Sequence, residues 1–564
     1  MQASLICIRL IVSLASPQIL TLGKMQASLL LRSLNRIFAA YLMQYPPNML
    51  RKLLCVSLSA ALLSAGWLGG SGLTLLVAFV PLLLVSASYG PSVRDLIRMA
   101  GWAALTFVLW NIATIGWVWN AAPVGVFAAT FFSGFWSLAA FLLYHYVSKR
   151  SPKPVAYTLF VAAWVAGEYL YTHAEVISFP WLTLGNGFSG SPWAVQWYEW
   201  TGVMGGSVWV LACNLAVFEA VRSRRVRDAV RAAVAAAVPI VVSLIIYANY
   251  EPEAQSVEIA VVQPNVDCYE EKFSGSEREQ LQNLLDLLDE TPRDARIVVM
   301  PETALPEQLR DDAPQSGATV RALRQRIDSL RPETMIVAGA STVKLYGAGE
   351  PRSETARAGS GFYYDIYNSA VAVNGDTDTD VHHKMRLVIG VEAMPFRRLL
   401  GFVDLGGVTG QLGRNDRASV FEKGGVKAGP AICYEGLYGD SFAEFVRAGA
   451  ETMIVMSNDG WWGDTAGHRR LFDFCRLRAI ETRRGIARSA NTGVSGFITS
   501  RGDVTARLDW DMRGVLTSDV EVSSRRTAYV DYGDWVGRLA LLLTALCLLC
   551  HSAYRIRRKN HLVN

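Results

Sequence analysis

Eight stretches of this 564-residue chain run for about twenty residues with almost no charge. They lie near 51–68, 72–88, 99–119, 123–147, 154–172, 201–221, 229–249 and 534–554. A hydrocarbon core about 30 Å thick is spanned by about 20 helical residues. Inside it every peptide N–H and C=O must be satisfied within the segment, so such runs can only be helices. Composition agrees, because 51% hydrophobic and 18% charged residues are too apolar for an average soluble chain of this size.

The basic residues alternate from one connection to the next. Arg51 and Lys52 precede the first run, and the turn at 69–72 has none. Arg94 and Arg98 follow the second run, 120–123 has none, and Lys149, Arg150 and Lys153 follow the fourth. The connection over 173–200 has no Lys or Arg, Arg222, Arg224, Arg225 and Arg227 follow the sixth run, and the tail carries Arg555, Arg557, Arg558 and Lys559. By the positive-inside rule both ends face the cytoplasm and the large segment before the last run faces away from it. A net charge of +5 spent in this way argues against a nucleic-acid partner.

The division expected is a transmembrane bundle of about seven helices over 49–250, an extracytoplasmic domain over 255–531, a last span over 533–555 and a basic cytoplasmic tail over 556–564. Residues 1–48 are set apart. Met1 and Met25 both begin Met-Gln-Ala-Ser-Leu, and Arg9, Arg32 and Arg36 interrupt the apolar runs. That pattern is no cleavable signal peptide, and an upstream-shifted start with initiation near Met49 explains it at least as well as an extra span does.

Between 255 and 531 short β-rich runs alternate with helical periodicity, which indicates a layered α/β domain. Strands are expected at 258–262, 296–300, 335–340, 369–373, 426–432 and 452–457. Helices are expected at 276–290, 318–330, after 433 through 446, and at 468–484. The Gly-, Ser- and Arg-rich pieces at 341–362 and 400–417 read as loops.

Three residues in this domain invite chemistry. Cys433 ends an apolar strand and precedes Tyr434-Glu435-Gly436, where a helix start would expose its thiol and favour the thiolate. On that context alone a buried inert cysteine is an equal reading. Glu302, after the strand ending at Met300, could be a base for a thiol, or merely a first-turn carboxylate. Lys384, in His382-His383-Lys384, could stabilise an oxyanion, although a lone lysine is usually just solvated. The eight cysteines form no paired zinc motif, and the His382–His383 pair lacks partners at ligand spacing, so neither metal nor other cofactor is expected.

Taken in order, Pro301-Glu302, Lys384 and Ile432-Cys433-Tyr434-Glu435 resemble the three motifs of the nitrilase superfamily, which places a Cys nucleophile, a Glu base and a Lys on a four-layer α-β-β-α sandwich. With the apolar runs, the resemblance narrows to the membrane-embedded branch, the apolipoprotein N-acyltransferases, from about residue 50 to the end. Phe179-Pro180-Trp181 with Gly185, Gln263-Pro264-Asn265, Ser457-Asn458-Asp459-Gly460-Trp461-Trp462-Gly463 and Arg488-Ser489-Ala490-Asn491-Thr492-Gly493 fit the same pattern. Two departures stand out. Met-Arg-Leu-Val-Ile-Gly-Val separates Lys384 from Glu392 where the family has Pro-Phe-Gly before its second glutamate, and Phe273 stands where a tryptophan is common.

The resemblance implies catalytic Glu302, Lys384 and Cys433, supporting Glu392, Tyr434 and Glu435, and substrate contacts from Phe273 and Trp181. It implies acyl transfer from a phospholipid such as phosphatidylethanolamine, through a Cys433 thioester, to the α-amine of a diacylglyceryl apolipoprotein. The protein would act as a monomer in the bacterial inner membrane, with its catalytic domain in the periplasm. Two rivals are a membrane-tethered amidase, which needs only one anchor, and a transporter, which needs more ionisable groups within its spans than Glu168 and Glu219.

Overall fold

The computed structural model describes residues 49–175, 177–268, 276–376, 381–394 and 411–563. The segment 1–48 and Phe273 lie outside the described residues, as does 395–410 of the expected second loop.

Each apolar run forms a helix: α1 Met49–Ala65, α2 Gly72–Ala87, α3 Val93–Ile115, α4 Pro123–Ser148, α5 Lys153–Thr172, α6 Tyr198–Ser223 and α7 Val226–Asn249 precede the α/β domain. Trp535–Val563 follows it and packs along α5. Among the described helices, α3, α4, α6, α7 and Trp535–Asn560 are long and apolar enough to cross a bilayer. The other three depart from the expected pattern for local reasons. The first, α1, has 17 residues, about 25 Å of rise. Several tyrosines and Glu168 lower the hydropathy of α5. A break at Phe79 divides α2, because Pro81 has no N–H and its ring meets the carbonyl four residues back. Asn214 of α6 repairs that break: Phe79 N–H donates to its Oδ1 (2.7 Å), and its Nδ2 donates to Leu75 O (2.7 Å). Unrepaired backbone groups in hydrocarbon would cost several kcal/mol each.

The second unit is a sandwich of two sheets. One contains, in spatial order, β14 Gly514–Glu521, β1 Ser256–Gln263, β2 Ile297–Val299, β4 Met335–Tyr346, β6 Tyr363–Val373 and β5 Arg357–Ala358, with β3 Gln308–Arg310 on β4 and β7 Val381–His383 on β6. The other runs β13 Val504–Leu508, β12 Ser495–Ile498, β11 Ile486–Ala490, β10 Thr452–Ser457, β9 Val426–Ile432 and β8 Phe421–Lys423.

Alternation along the strands builds the layers. Ile259, Val261, Ile297, Val299, Met335 and Val337 face Ala428, Ile432, Ile454 and Met456 between the sheets. Their neighbours Ala260, Val262, Val298, Ile336 and Ala338 pack outward on α8 Glu277–Glu290 and α9 Ala318–Leu330. On the far side Ala431, Met453 and Val455 meet α10 Gly439–Arg447 and α11 Ala466–Thr482. The order is therefore helix, sheet, sheet, helix, as expected. The loop expected over 341–362 is shorter: β4 continues through Tyr346 because it pairs with β6 along its whole length, from Ile336↔Val373 to Tyr346↔Tyr363. Lys344 and Tyr346 on the strand's outer half hid that extension from a hydropathy reading.

The two units are joined by buried polar contacts. Gly202 kinks α6 at φ +60°, a conformation that suits glycine, and the next N–H, of Val203, donates to Glu481 Oε1 of α11 (3.0 Å). A Cβ at Gly202 would lie 2.3 Å from the Tyr529 ring. Arg483, fully buried, pairs with Glu199 (2.8 Å) and donates to Gln196 Oε1 (2.7 Å) at the head of α6.

Candidate active site

Glu302 lies just past β2 in the turn Pro301–Thr303. That turn rests on β4 at Gly339, whose N–H donates to Pro301 O (3.1 Å). The approach is close enough that a Cβ at Gly339 would stand 2.5 Å from Glu302 Cα and 2.4 Å from Thr303 N. One carboxylate oxygen, Oε1, accepts from Lys384 Nζ (2.8 Å) and Asn368 Nδ2 (2.7 Å), and Oε2 accepts from the Asn458 N–H (3.0 Å).

Lys384 follows β7, and its N–H donates to Asn368 O (2.9 Å). The ammonium sits between two carboxylates, at 2.8 Å from Glu302 and 3.0 Å from Glu392. Glu392 is held by the Val388 N–H on Oε2 (2.8 Å), and Asn368 Nδ2 also reaches its Oε1 (2.7 Å). Although the Pro-Phe-Gly pattern is replaced, this loop still delivers a carboxylate to the lysine. Two of the three ammonium hydrogens are thus engaged, leaving one for a substrate oxygen.

Cys433 directly follows β9 with φ +47°, an unfavourable backbone conformation for a residue with a side chain. It opens a short 3₁₀ turn, Cys433–Leu437, rather than the expected α-helix, which begins only at Gly439. Ser457 Oγ lies 3.3 Å from the sulfur and is also bonded to Asp459. A hydroxyl has one hydrogen and the carboxylate is the stronger acceptor, so the Ser457 hydrogen goes to Asp459, and the Glu302 charge also bears on the thiol. Asp459 is itself paired with fully buried Arg488 (2.8 Å).

The charge pattern follows from burial and neighbours. Burial alone would neutralise both Glu302 and Lys384. For Glu302 the Lys384 charge and the hydrogen bonds of Lys384, Asn368 and Cys433 outweigh it and hold the carboxyl below its usual range. For Lys384 the Glu302 and Glu392 charges outweigh burial and hold the ammonium above its usual range. The Cys433 thiol is pushed well up, by burial and then by the Glu302 charge. The expectation of a resting thiolate is therefore corrected. A five-residue 3₁₀ turn supplies little dipole, and the nearest carboxylate is negative. The resting arrangement is carboxylate, ammonium and neutral thiol.

Glu435 and Tyr434 position this group. Glu435, fully buried, accepts from the N–H of Met385 on Oε1 and of Ile432 on Oε2, both at 2.6 Å. These are the residues beside Lys384 and Cys433, so one carboxylate fastens the two catalytic strands together. Tyr434 Oη donates to Ser178 O (3.0 Å), and its ring is parallel to that of Phe179 (centroids 6.5 Å). Trp181 is buried between Trp117, Phe474 and Trp462 (centroids 4.8, 4.9 and 6.2 Å), forming an aromatic joint between bundle and domain. Asn368, Gly339 and the Asn458 N–H touch this cluster, and the sequence reading missed them. A strand asparagine and a backbone N–H leave no sequence signature, and Gly339 reads as an ordinary small strand residue.

Residues 258–529 match the carbon-nitrogen hydrolase family, and residues 59–216 match the apolipoprotein N-acyltransferase N-terminal domain. The chain belongs to the apolipoprotein N-acyltransferase family. The apolipoprotein N-acyltransferase of Chlorobaculum tepidum is 29% identical over 84% of this chain and 90% of its own length. That of Geobacter metallireducens is 25% identical over 81% and 87%. Both likenesses run through bundle and α/β domain together, as membership of this family requires. Among solved structures, Saccharomyces cerevisiae Nit3 matches at 18% identity over 47% of this chain and 90% of its own, with a TM-score of 0.33.

Proposed function

We propose that this protein is an apolipoprotein N-acyltransferase that moves a fatty acyl chain from a membrane phospholipid to the N-terminal α-amine of a diacylglyceryl-cysteine lipoprotein. The observation that carries this reading is Cys433 beside a buried Glu302–Lys384–Glu392 relay, on a turn tied to a helix bundle with spans long enough for a bilayer.

Glu302 takes the thiol proton as sulfur attacks the ester carbonyl. Lys384 and the Tyr434 N–H face the oxygen that becomes negative. The intermediate collapses to a Cys433 thioester, and Glu302 returns the proton to the departing lysophospholipid oxygen. In the second half the acceptor amine attacks the thioester, Glu302 takes its proton, an amide forms, and the sulfur leaves and is reprotonated. Glu392 keeps Lys384 in place, while Trp181 and Phe273 contribute to substrate contacts. Acyl chains leave a bilayer at a cost of about 0.8 kcal/mol per CH₂, which is why such a site sits on spanning helices. The charge alternation supports a domain on the side away from the cytoplasm, which in this reading is the periplasmic face of the bacterial inner membrane, with residues 49–250 and 533–555 as the membrane part, and the protein acts as a monomer without a cofactor.

The test is intact-mass analysis of the detergent-purified protein after exposure to phosphatidylethanolamine of defined chain length. A hydroxylamine-labile acyl adduct on Cys433, absent in Cys433→Ala, is the expected result. Folded protein that stays unmodified yet releases ammonia from small amides would replace this reading with a tethered amidase.

A further inference from the structure

Glu168 lies in the last turns of α5, on the catalytic-domain side of the bundle, and the mechanism above makes no use of it. A carboxyl group within a spanning helix is costly unless a partner meets it. Oε1 accepts from the Leu184 N–H (2.8 Å) and Trp164 Nε1 (3.1 Å). Among the described residues Oε2 has no hydrogen-bond partner, and although the Ser207 hydroxyl lies nearby, no cation among them bears on the group. Glu168 lines a small cavity that is partly open to the surface. Trp136, Trp164, Tyr171 and Phe179 also line it. Two of these carry unsatisfied polar atoms: Tyr171 Oη, on a residue only 6% exposed, and Trp136 Nε1.

We propose that this cavity binds the primary ammonium group of a lipid substrate, with Glu168 as counter-charge and the four aromatic rings around it. The rings present negative faces that attract a cation, most strongly where water is excluded. Tyr171 Oη and Glu168 Oε2 supply acceptors for the N–H groups. With an ammonium beside it Glu168 is held as the carboxylate, whereas a headgroup that bears only a phosphodiester brings no cation to the site, so the site discriminates as well as binds. The location suits a substrate of the Cys433 reaction, on whose proposed function this inference rests. Phe179 forms the cavity wall and stacks on Tyr434, the neighbour of the nucleophile. Two sources share the chemistry: the ethanolamine headgroup of the donor and the α-ammonium of the acceptor before it reacts.

Binding can be read without turnover. The Cys433→Ala protein in detergent is titrated by native mass spectrometry with phosphatidylethanolamine, phosphatidylglycerol and phosphatidylcholine of identical chains. It is then titrated with diacylglyceryl-cysteine peptide bearing a free or an acetylated amine. Glu168→Gln keeps an Oε1 acceptor for Leu184 and Trp164, so it removes charge with little change of shape, and Tyr171→Phe removes one acceptor. The expected result is a preference of about tenfold or more for the primary amine over its uncharged or amine-free counterpart, abolished in Glu168→Gln and reduced in Tyr171→Phe. Dependence on Glu168 in the phospholipid series assigns the site to the donor, and in the peptide series to the acceptor. Unchanged selectivity in Glu168→Gln, or equal loss for every ligand, overturns the proposal. Failure of Cys433 to become acylated in the parent protein would instead remove the acyl-transfer reading while leaving this selectivity in place.

Discussion

Replacing Glu435 by Gln is expected to disable the site while leaving every reacting atom present. The carboxylate accepts two backbone N–H bonds at 2.6 Å, from Met385 and Ile432, in a fully buried position. An amide offers one oxygen, so its NH₂ must face one of the two N–H donors. The change loses one charge-assisted hydrogen bond, about 1.5–3 kcal/mol, and leaves a buried donor unsatisfied, about 1–3 kcal/mol. The sum, about 2.5–6 kcal/mol, falls on the contact that holds the Lys384 strand against the Cys433 turn. At about 1.4 kcal/mol per tenfold, single-turnover acylation of Cys433 should slow by about 10²–10⁴. Quenched mass spectrometry of the acyl-enzyme gives the rate, and thermal unfolding gives the stability of the fold. Acylation within about threefold of the parent, with unchanged unfolding, would refute the idea that Glu435 aligns the two strands.

Gly339→Ala should push Glu302 away from Cys433, because the new Cβ would stand 2.5 Å from Glu302 Cα. Acylation should fall about a hundredfold with little change in KM, and a normal rate would show that the turn relaxes freely. Tyr434→Phe removes the bond to Ser178 O, about 1 kcal/mol, so a loss of tenfold or less is expected; a thousandfold loss would mean that the hydroxyl takes part in the chemistry. The pH behaviour follows from the shifts. Glu302, lowered, contributes stability that is present above the ordinary carboxylate range and lost as pH falls through its lowered value. Lys384, raised, contributes stability that is present below the ordinary lysine range and lost as pH rises through its raised value. Acylation should therefore be flat from about pH 5.5 to 9, while transfer to a peptide amine rises to about pH 8 as the α-ammonium deprotonates. A bell-shaped acylation profile centred near neutrality would contradict this charge pattern.

Much of the site was legible along the chain. Glu302 and Cys433 each follow an apolar strand, and strand ends expose side chains at a sheet edge, whereas the short strand Val381–His383 before Lys384 carries no hydropathy signal. The intended partners of these groups were not legible. Asn368 lies within β6 with no turn or cap beside it, and only the pairing of β6 with β7 brings it to Lys384. The thiolate expectation failed for the same reason: helix type at Cys433 and the distance to Glu302 are set by packing, not by local pattern.

By itself the sequence determined the apolar helices, the central strands and the order of reactive residues. These follow from local hydropathy and periodicity, which act over one element at a time. Only the tertiary structure decided which charges meet. The ionisation of Cys433, Lys384 and Glu302 depends on contacts between residues 8 to 131 positions apart, and a buried charge takes its state from whatever lies within a few ångströms.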